Sequence, residues 1–210
     1  RLIAAGLRES GIPTVAKTTG SRARFIRPDG GEEPILRLGT PNINEQVRIL
    51  ERGRREGARA IVMECMAVRP DLQRVSETAI VRSTIGVITN VRADHLDVMG
   101  PALADAAAAV SSTIPPRGTV VVGRTHCLDE LKRVAVERGS TLVAADPAGL
   151  PAGAMDGFSY LEHEENVATA LAVTRALGIA DEVSLRGMHR VVPAPGASAG
   201  GGRGRLGGAR

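Results

Sequence analysis

Short apolar runs alternate with amphipathic stretches along most of this chain. The apolar runs are rich in β-branched residues and predict strands at 12–16, 58–63, 85–91, 118–122 and 141–145. The amphipathic stretches predict helices at 1–10, 44–56, 70–79, 101–114, 128–138, 164–177 and 181–189. This alternation predicts an α/β fold, with a mostly parallel sheet and helices on both of its faces.

Two segments depart from the alternation. Residues 25–38 carry two apolar stretches on either side of the turn residues Pro28 to Gly31, which predicts an inserted β-hairpin. Residues 193–210 are dominated by Gly, Ala and Arg and have no apolar period, which predicts a disordered tail. We therefore expect one domain at 1–192, followed by this tail.

Composition argues against nucleic acid as a partner. Aromatic residues make up only 1% of the chain, so side chains for stacking on bases are scarce. The net charge of +4 includes three arginines of the tail, and the other 24 basic residues nearly balance the 23 acidic ones. Counterion release needs a dense basic face, which this chain lacks, although RNA binding by the tail is kept as a minor alternative.

The cysteines and the hydropathy pattern predict a cytoplasmic protein. Cys65 and Cys127 lie far apart, which is typical of free thiols in a reducing compartment. The sequence has no run of about 18 apolar residues and no signal-peptide pattern at its start. The chain begins with Arg1 inside a helical pattern without an N-cap, so we expect that a segment upstream is missing.

The densest group of candidate catalytic side chains lies at the end of the apolar run 85–91 and directly after it. This run predicts a strand buried on both faces, and ligands of open α/β sheets bind outside the carboxyl ends of such strands. Four polar side chains lie there: Asn90, Asp94, His95 and Asp97. Alternatively, Asp94 or Asp97 caps the next helix and His95 is an ordinary loop residue.

Two other strand ends carry candidate ligands. The first strand runs into Lys17, Thr18, Thr19 and Gly20, which could bind a phosphate or a metal but are also common in any tight loop. The strand at 58–63 ends at Glu64. A carboxylate at the end of an apolar strand requires a metal or a cationic partner, and Arg69 or Arg82 could supply the latter.

Four stretches together resemble one family: Ala16 to Arg24, Val62 to Val68, Gly86 to Gly100 and Thr113 to Pro115. They are similar to the ligase subunit of poly-γ-glutamate synthase, of the capsule biosynthesis B type, within the Mur ligase superfamily. The resemblance runs from residue 1 to about 197. It implies a central ATPase-type domain with a P-loop NTPase-like fold, and an ATP-dependent carbon–nitrogen ligase that forms γ-glutamyl amides through an acyl phosphate.

The resemblance also assigns roles to residues. It implies that Glu64 holds Mg²⁺ at the ATP phosphates and that His95 serves a second metal, for which Mn²⁺ is also plausible. Asn90, Asp94 and Asp97 would shape this second site. The cofactor-binding residues would be Thr18, Thr19 and Gly20 near the phosphates, and Asn166 at the adenine. Asn166 could equally be an N-cap.

Glutamate and poly-γ-glutamate are the implied substrate and product, with membrane subunits of a synthase complex as partners. The family's Gly-Lys-Ser/Thr loop is missing from the sequence, its Pro-Asp-Pro-Gly-Ala motif reads Pro193-Ala-Pro-Gly-Ala197, and a Gly/Arg tail stands where its C-terminal domain would follow. We therefore expect this chain to be inactive by itself, and an anchor or partners to hold the whole protein at the inner face of the membrane. There are two alternatives. One is another Mur-type ligase, acting on folate or peptidoglycan peptides, and the other is a noncatalytic remnant that only binds partners.

Overall fold

The structure is a computed structural model, and it describes residues 1–20, 22–37, 39, 42–93 and 95–192. The strands are β1 (Thr14–Lys17), β2 (Arg24–Ile26), β3 (Glu32–Pro34), β4 (Ala60–Met63), β5 (Ile85–Ile88), β6 (Thr119–Val122) and β7 (Thr141–Ala144). The helices are α1 (Leu2–Glu9), α2 (Glu45–Arg55), α3 (Pro70–Val75), α4 (Leu96–Met99), α5 (Leu103–Ser111), α6 (Leu128–Glu137), α7 (Glu164–Ala176) and α8 (Asp181–His189). A π-helical segment, Ser76–Val81, extends α3, and a 3₁₀ turn covers Pro147–Gly149.

The strands form two sheets. In the first, the order is β3-β2-β1-β4, with β1 parallel to β4 and the hairpin strands β2 and β3 antiparallel. The second contains β5, β6 and β7 in that order, all parallel. The α/β prediction is confirmed, but the expected single sheet is divided, because within the described residues β4 and β5 form no hydrogen-bonded ladder.

Helices cover both faces of the second sheet, as predicted. Along β6, Val120 and Val122 pack with side chains from α5 and α6, whereas Val121 packs with Ala172 and Val173 of α7. All three valines are 0% or 1% exposed. The period-2 alternation of a strand explains why one continuous apolar run serves two opposite layers.

Helix α1 joins the two sheets. Its Ala4 packs with Ala16 and Val62 of the first sheet, and Ile3 belongs to the cluster around Val121 of the second. On its outer side α1 packs closely against α8, where a Cβ on Gly187 would collide with the backbone oxygen of Ala5. The two sheets therefore share one helical layer even though no strand ladder connects them.

The structure corrects several predicted boundaries. The returning hairpin strand is Glu32–Pro34 rather than the apolar 35–38, because a tight turn over Pro28–Gly31 lets the first residues after it pair with β2. The strand predicted at 85–91 ends at Ile88. The helix predicted at 101–114 starts at Leu103, where the Asp105 carboxylate accepts a hydrogen bond from Ala102 N at 3.0 Å.

Two further predictions concern domain organisation and the membrane. The predicted tail at 193–210 lies outside the described residues, and the domain boundary at 192 stays a prediction. No helix in the described part of the chain is long and apolar enough to cross a membrane.

Candidate functional site

A cleft of about 510 Å³ opens at the carboxyl ends of β1, β4 and β5. It brings together five of the residues selected from the sequence: Thr18, Thr19, Gly20, Glu64 and Asn166. The other lining residues come from the connection between β1 and β2, from the start of α1, from the end of β5 and from α7 and the residues before it: Arg22, Arg1, Leu2, Ile3, Val87, Thr89, Glu162, Thr169 and Ala170. The parallel arrangement of β1 and β4 explains why two distant stretches of sequence meet here.

Hydrogen bonds hold the Thr18–Gly20 loop against Glu64. The backbone N–H of Thr19 donates to Oε2 of Glu64 at 2.7 Å. The hydroxyl oxygen of Thr18 accepts from Arg24 N at 3.0 Å, so the loop is also tied to β2. The suggestion that Arg69 pairs with Glu64 is wrong, because the guanidinium of Arg69 pairs with Asp71 at 2.8 Å.

Lys17 does not belong to the ligand-facing surface. Its side chain is fully buried, and Nζ lies 3.2 Å from Oε1 of Glu45. Arg37 forms a bidentate pair with the same carboxylate, at 2.6 and 3.0 Å. The hydrogen bond from Arg37, together with Lys17, lowers the pKa of Glu45, whereas burial lowers the pKa of Lys17. Lys17 is therefore a buried structural cation under the loop and not the phosphate ligand that the sequence suggested.

Asn166 lies in the first turn of α7, and its side chain is held by Glu162. Nδ2 of Asn166 donates to Oε1 of Glu162 at 2.8 Å, and the hydroxyl of Tyr160 donates to Oε2 at 2.9 Å. Burial and this hydrogen bond raise the pKa of Tyr160. The N-cap interpretation of Asn166 is wrong, because His163 holds that position.

Sequence reasoning missed Glu162. A signal was present, since a side-chain carboxylate four residues before an Asn is spaced for a hydrogen bond along a helix.

The predicted cluster after β5 is placed only in part. Asn90, His95 and Asp97 are exposed and are not among the residues that line the cleft, although Val87 and Thr89 of the same strand end are. His95 has a positive φ of 51°, and its carbonyl accepts hydrogen bonds from the N–H groups of residues 98 and 99 in α4. Asp94 lies outside the described residues. The catalytic roles of these four residues and the second metal at His95 stay predictions.

The cleft fits a metal ion that is shared with phosphate. Among the described residues, no three His, Cys, Asp or Glu side chains gather in an arrangement that could hold a metal by themselves. Mg²⁺ is commonly bound through one or two carboxylates, with substrate phosphates completing its shell. The Glu64 carboxylate and the hydroxyls of Thr18 and Thr19 form an oxygen donor set of that kind in one cleft.

Two curated proteins from Bacillus are similar to this chain over nearly its whole length. It is 41% identical over 199 residues to the capsule biosynthesis protein CapB of Bacillus anthracis, and these residues are 94% of this chain and 43% of that protein. It is also 41% identical over 199 residues to PGA synthase CapB of Bacillus subtilis (strain 168), covering 94% of this chain and 51% of that protein. The chain thus spans about half the length of these relatives.

Solved structures share the fold at low sequence identity. A mutant of L. casei FPGS superimposes with a TM-score of 0.67 and 17% identity, covering 90% of this chain and 59% of that one. A bifunctional folylpolyglutamate synthase/dihydrofolate synthase with Mn, AMPPNP and L-glutamate bound gives a TM-score of 0.61 and 19% identity, covering 93% and 54%. The family model of the Mur ligase middle domain matches residues 1–197. The chain therefore belongs to the Mur ligase middle domain family.

Proposed function

We propose that this chain is the ATP-binding central domain of a ligase that joins glutamate through γ-glutamyl amide bonds. The observation that carries the proposal is the cleft in which Glu64, the Thr18–Gly20 loop and Asn166 meet. The relatives named for capsule biosynthesis and PGA synthesis support glutamate as the substrate. The folate ligases share only the fold, at 17% and 19% identity, and therefore support a folate substrate less well.

Four residues of the cleft have a stated role in this proposal. The Asn166 amide meets the edge of the adenine, because an asparagine amide matches the donor and acceptor of that edge. Thr18 and Thr19 would contact phosphate oxygens through their hydroxyls, and the Glu64 carboxylate would hold the divalent cation. When bound, Mg²⁺ or Mn²⁺ neutralises the charge that develops during phosphoryl transfer.

The chemistry proceeds in two transfers. The γ-phosphoryl group of ATP moves to a carboxylate of the growing chain, which forms an acyl phosphate and releases ADP. The amine of glutamate then attacks the acyl carbon, and the phosphate leaves as the amide forms. His95, Asn90, Asp94 and Asp97 act near the acyl phosphate in this proposal, since they follow the strand end that borders the cleft.

The proposed setting is a membrane-associated synthase complex on the cytoplasmic side. There the substrate glutamate and ATP are available, and membrane subunits would receive the poly-γ-glutamate product. This part rests on what the family resemblance of the sequence implies.

A chimeric enzyme tests the function. This chain replaces the 199 matched residues of the Bacillus subtilis relative, and ATP turnover is measured with glutamate, with other amino acids, and with folate or peptidoglycan precursors as acceptors. We expect turnover that depends on glutamate, with γ-linked products detected by mass spectrometry.

Two results would contradict the proposal. Turnover that follows a folate or peptidoglycan acceptor would favour the other Mur-type ligases. A folded chimera that binds no ATP would favour a noncatalytic binding module. The unmodified relative serves as the positive control, and the 210-residue chain alone is expected to show no turnover.

A further inference from the structure

A second cleft, of about 690 Å³, lies beside the first and outside the proposed nucleotide site. It runs between α1, the β2–β3 hairpin and the end of α8. Arg1 lines both clefts, so the two adjoin at the start of α1. A molecule that leaves the first cleft along this side passes directly into the second.

The charged residues at the rim of the second cleft are largely paired with one another. Arg1 forms a bidentate pair with Glu32, and Arg190 pairs with Glu9 at 2.7 Å. Asp29, the third carboxylate of the lining, pairs with Arg27 at 3.3 Å. The three acids are thus compensated.

Two arginines of the lining lack such compensation. Within the described residues neither Arg8 nor Arg24 forms an ion pair with a carboxylate, although Glu32 and Asp29 of the same lining act on Arg8 electrostatically. Nη1 of Arg8 donates to the carbonyl of Thr14 at 3.5 Å. Nε of Arg24 is buried without a hydrogen-bond partner. Burial lowers the pKa of Arg8, which reflects the cost of holding its charge there. A half-buried guanidinium without an ion-pair partner favours an anionic ligand.

We propose that Arg8 and Arg24 bind carboxylates of the γ-glutamyl chain, so that the second cleft holds the chain while its end reacts in the first. A guanidinium fork matches a carboxylate in two parallel hydrogen bonds. A γ-glutamyl chain carries one carboxylate per residue, so successive carboxylates can meet two separate arginines. Ile26, Val191 and Val192 offer apolar surface to the methylene groups between them. The inference rests on the proposed function, because it takes the γ-glutamyl chain as the ligand.

Binding is tested without turnover, so the outcome is separate from that of the proposed function. The 210-residue chain is titrated with synthetic γ-linked tetraglutamate, and the Nε–Hε signals of its arginines are followed by NMR. We expect the Arg8 and Arg24 signals to shift. Arg8→Gln and Arg24→Gln should each weaken binding about tenfold, since each removes one charge-assisted pair.

Arg186→Gln is the matched control, because Arg186 lies on α8 and pairs with Glu9 but does not line the cleft. It should change the affinity by less than about twofold, as expected for an exposed charge. Thermal unfolding shows which variants fold. If Arg8→Gln does not fold, the affinity of Arg24→Gln and the arginine signal shifts of the wild type test the proposal.

Three outcomes would overturn the proposal. The first is the absence of any arginine shift at millimolar tetraglutamate. The second is an equal loss of affinity in the control, which would mean general electrostatic attraction. The third is binding of inorganic phosphate at the same two arginines as tightly as tetraglutamate, which would mean a site for small oxyanions.

Discussion

At the scale of single residues, Glu162 orients the Asn166 amide, and in the proposed function this orientation sets which base Asn166 accepts. A carboxylate only accepts hydrogen bonds, so the Asn166 amide must turn its nitrogen toward Glu162. Its oxygen then remains as an acceptor for the exocyclic amine of adenine, whereas the corresponding oxygen of guanine or hypoxanthine would be repelled. Glu162 is in this sense a positioning residue for base selection.

Replacement of Glu162 by glutamine should therefore relax base specificity. A glutamine can donate as well as accept, so Asn166 gains access to the flipped orientation. In the chimera, we expect the ratio of the Kd for ITP to the Kd for ATP to fall about tenfold in Glu162→Gln. Glu165→Gln, a change in an adjacent exposed carboxylate of α7, is the control. An unchanged ratio in Glu162→Gln would show that Glu162 does not orient the amide.

The two predicted metal sites should respond differently to mutation. Glu64→Ala in the chimera should weaken both ATP affinity and kcat, because Glu64 lies in the cleft that we propose binds the phosphates. His95→Ala should lower kcat about a hundredfold with a smaller effect on ATP affinity, because charge on the acyl phosphate develops only during transfer. Calorimetry and steady-state turnover measure the two effects. His126→Ala is the control, and a silent His95→Ala would remove the proposed role of the Asn90–Asp97 stretch.

At the scale of elements, the loop after β1 is supported by the buried Lys17–Glu45–Arg37 network, which connects β1 to α2. Glu45→Gln would leave Lys17 charged and unpaired in a buried position. We expect a loss of about 3 kcal/mol in the free energy of unfolding at neutral pH, typical of breaking one side of a buried pair. Glu51→Gln, on the exposed face of α2, should have little effect, and urea titrations compare the two.

The same pair predicts a pH dependence. The pKa of Glu45 is lower in the folded protein than its ordinary value of 4.5, so its stabilising effect is complete above that value and is lost as the pH falls through the folded pKa. Wild type should therefore lose more stability than Glu45→Gln between neutral pH and about pH 3. Equal losses in both proteins would mean that Glu45 is not coupled to folding.

Close contact between α1 and α8 depends on a residue without a side chain. Gly187→Ala would place a methyl group against the Ala5 carbonyl, and we expect destabilisation of about 1–3 kcal/mol. Ser184, one turn earlier in α8, is fully buried and its hydroxyl oxygen has no hydrogen-bond partner. Ser184→Ala should therefore be neutral or stabilising. Destabilisation of similar size in both variants would argue against steric contact as the cause.

At the scale of the whole molecule, the two sheets should unfold together. Helix α1 contributes Ile3 to an apolar cluster of the second sheet and Ala4 to one of the first, so its departure would open a cluster in each sheet. Hydrogen exchange of β1 and β6 amides should report the same free energy of opening. Retained protection in β6 after β1 has exchanged would show that the sheets are independent units.

The sequence by itself determined the α/β class, most helices and strands, and the stretches that carry the family resemblance. Their signals are local: period-2 and period-3.6 patterns of apolar residues, and polar residues directly after strands. The same local reading gave Thr18, Thr19, Gly20 and Glu64 as candidates, the family resemblance added Asn166, and one cleft contains all five. Local patterns gave a wrong prediction where a side chain is paired with a residue distant in sequence, as Lys17 is with Glu45.

Only the tertiary structure decided which polar residues line the cleft. Lys17 ends the apolar strand β1 and Glu64 follows the apolar strand β4, yet Lys17 is buried and paired with Glu45 of α2, which no local pattern aligns with it. The division into two sheets and the uncompensated Arg8 and Arg24 likewise depend on how α1 lies against strands and hairpin. Burial and charge pairing are properties of the packed molecule, and a linear pattern of residues does not contain them.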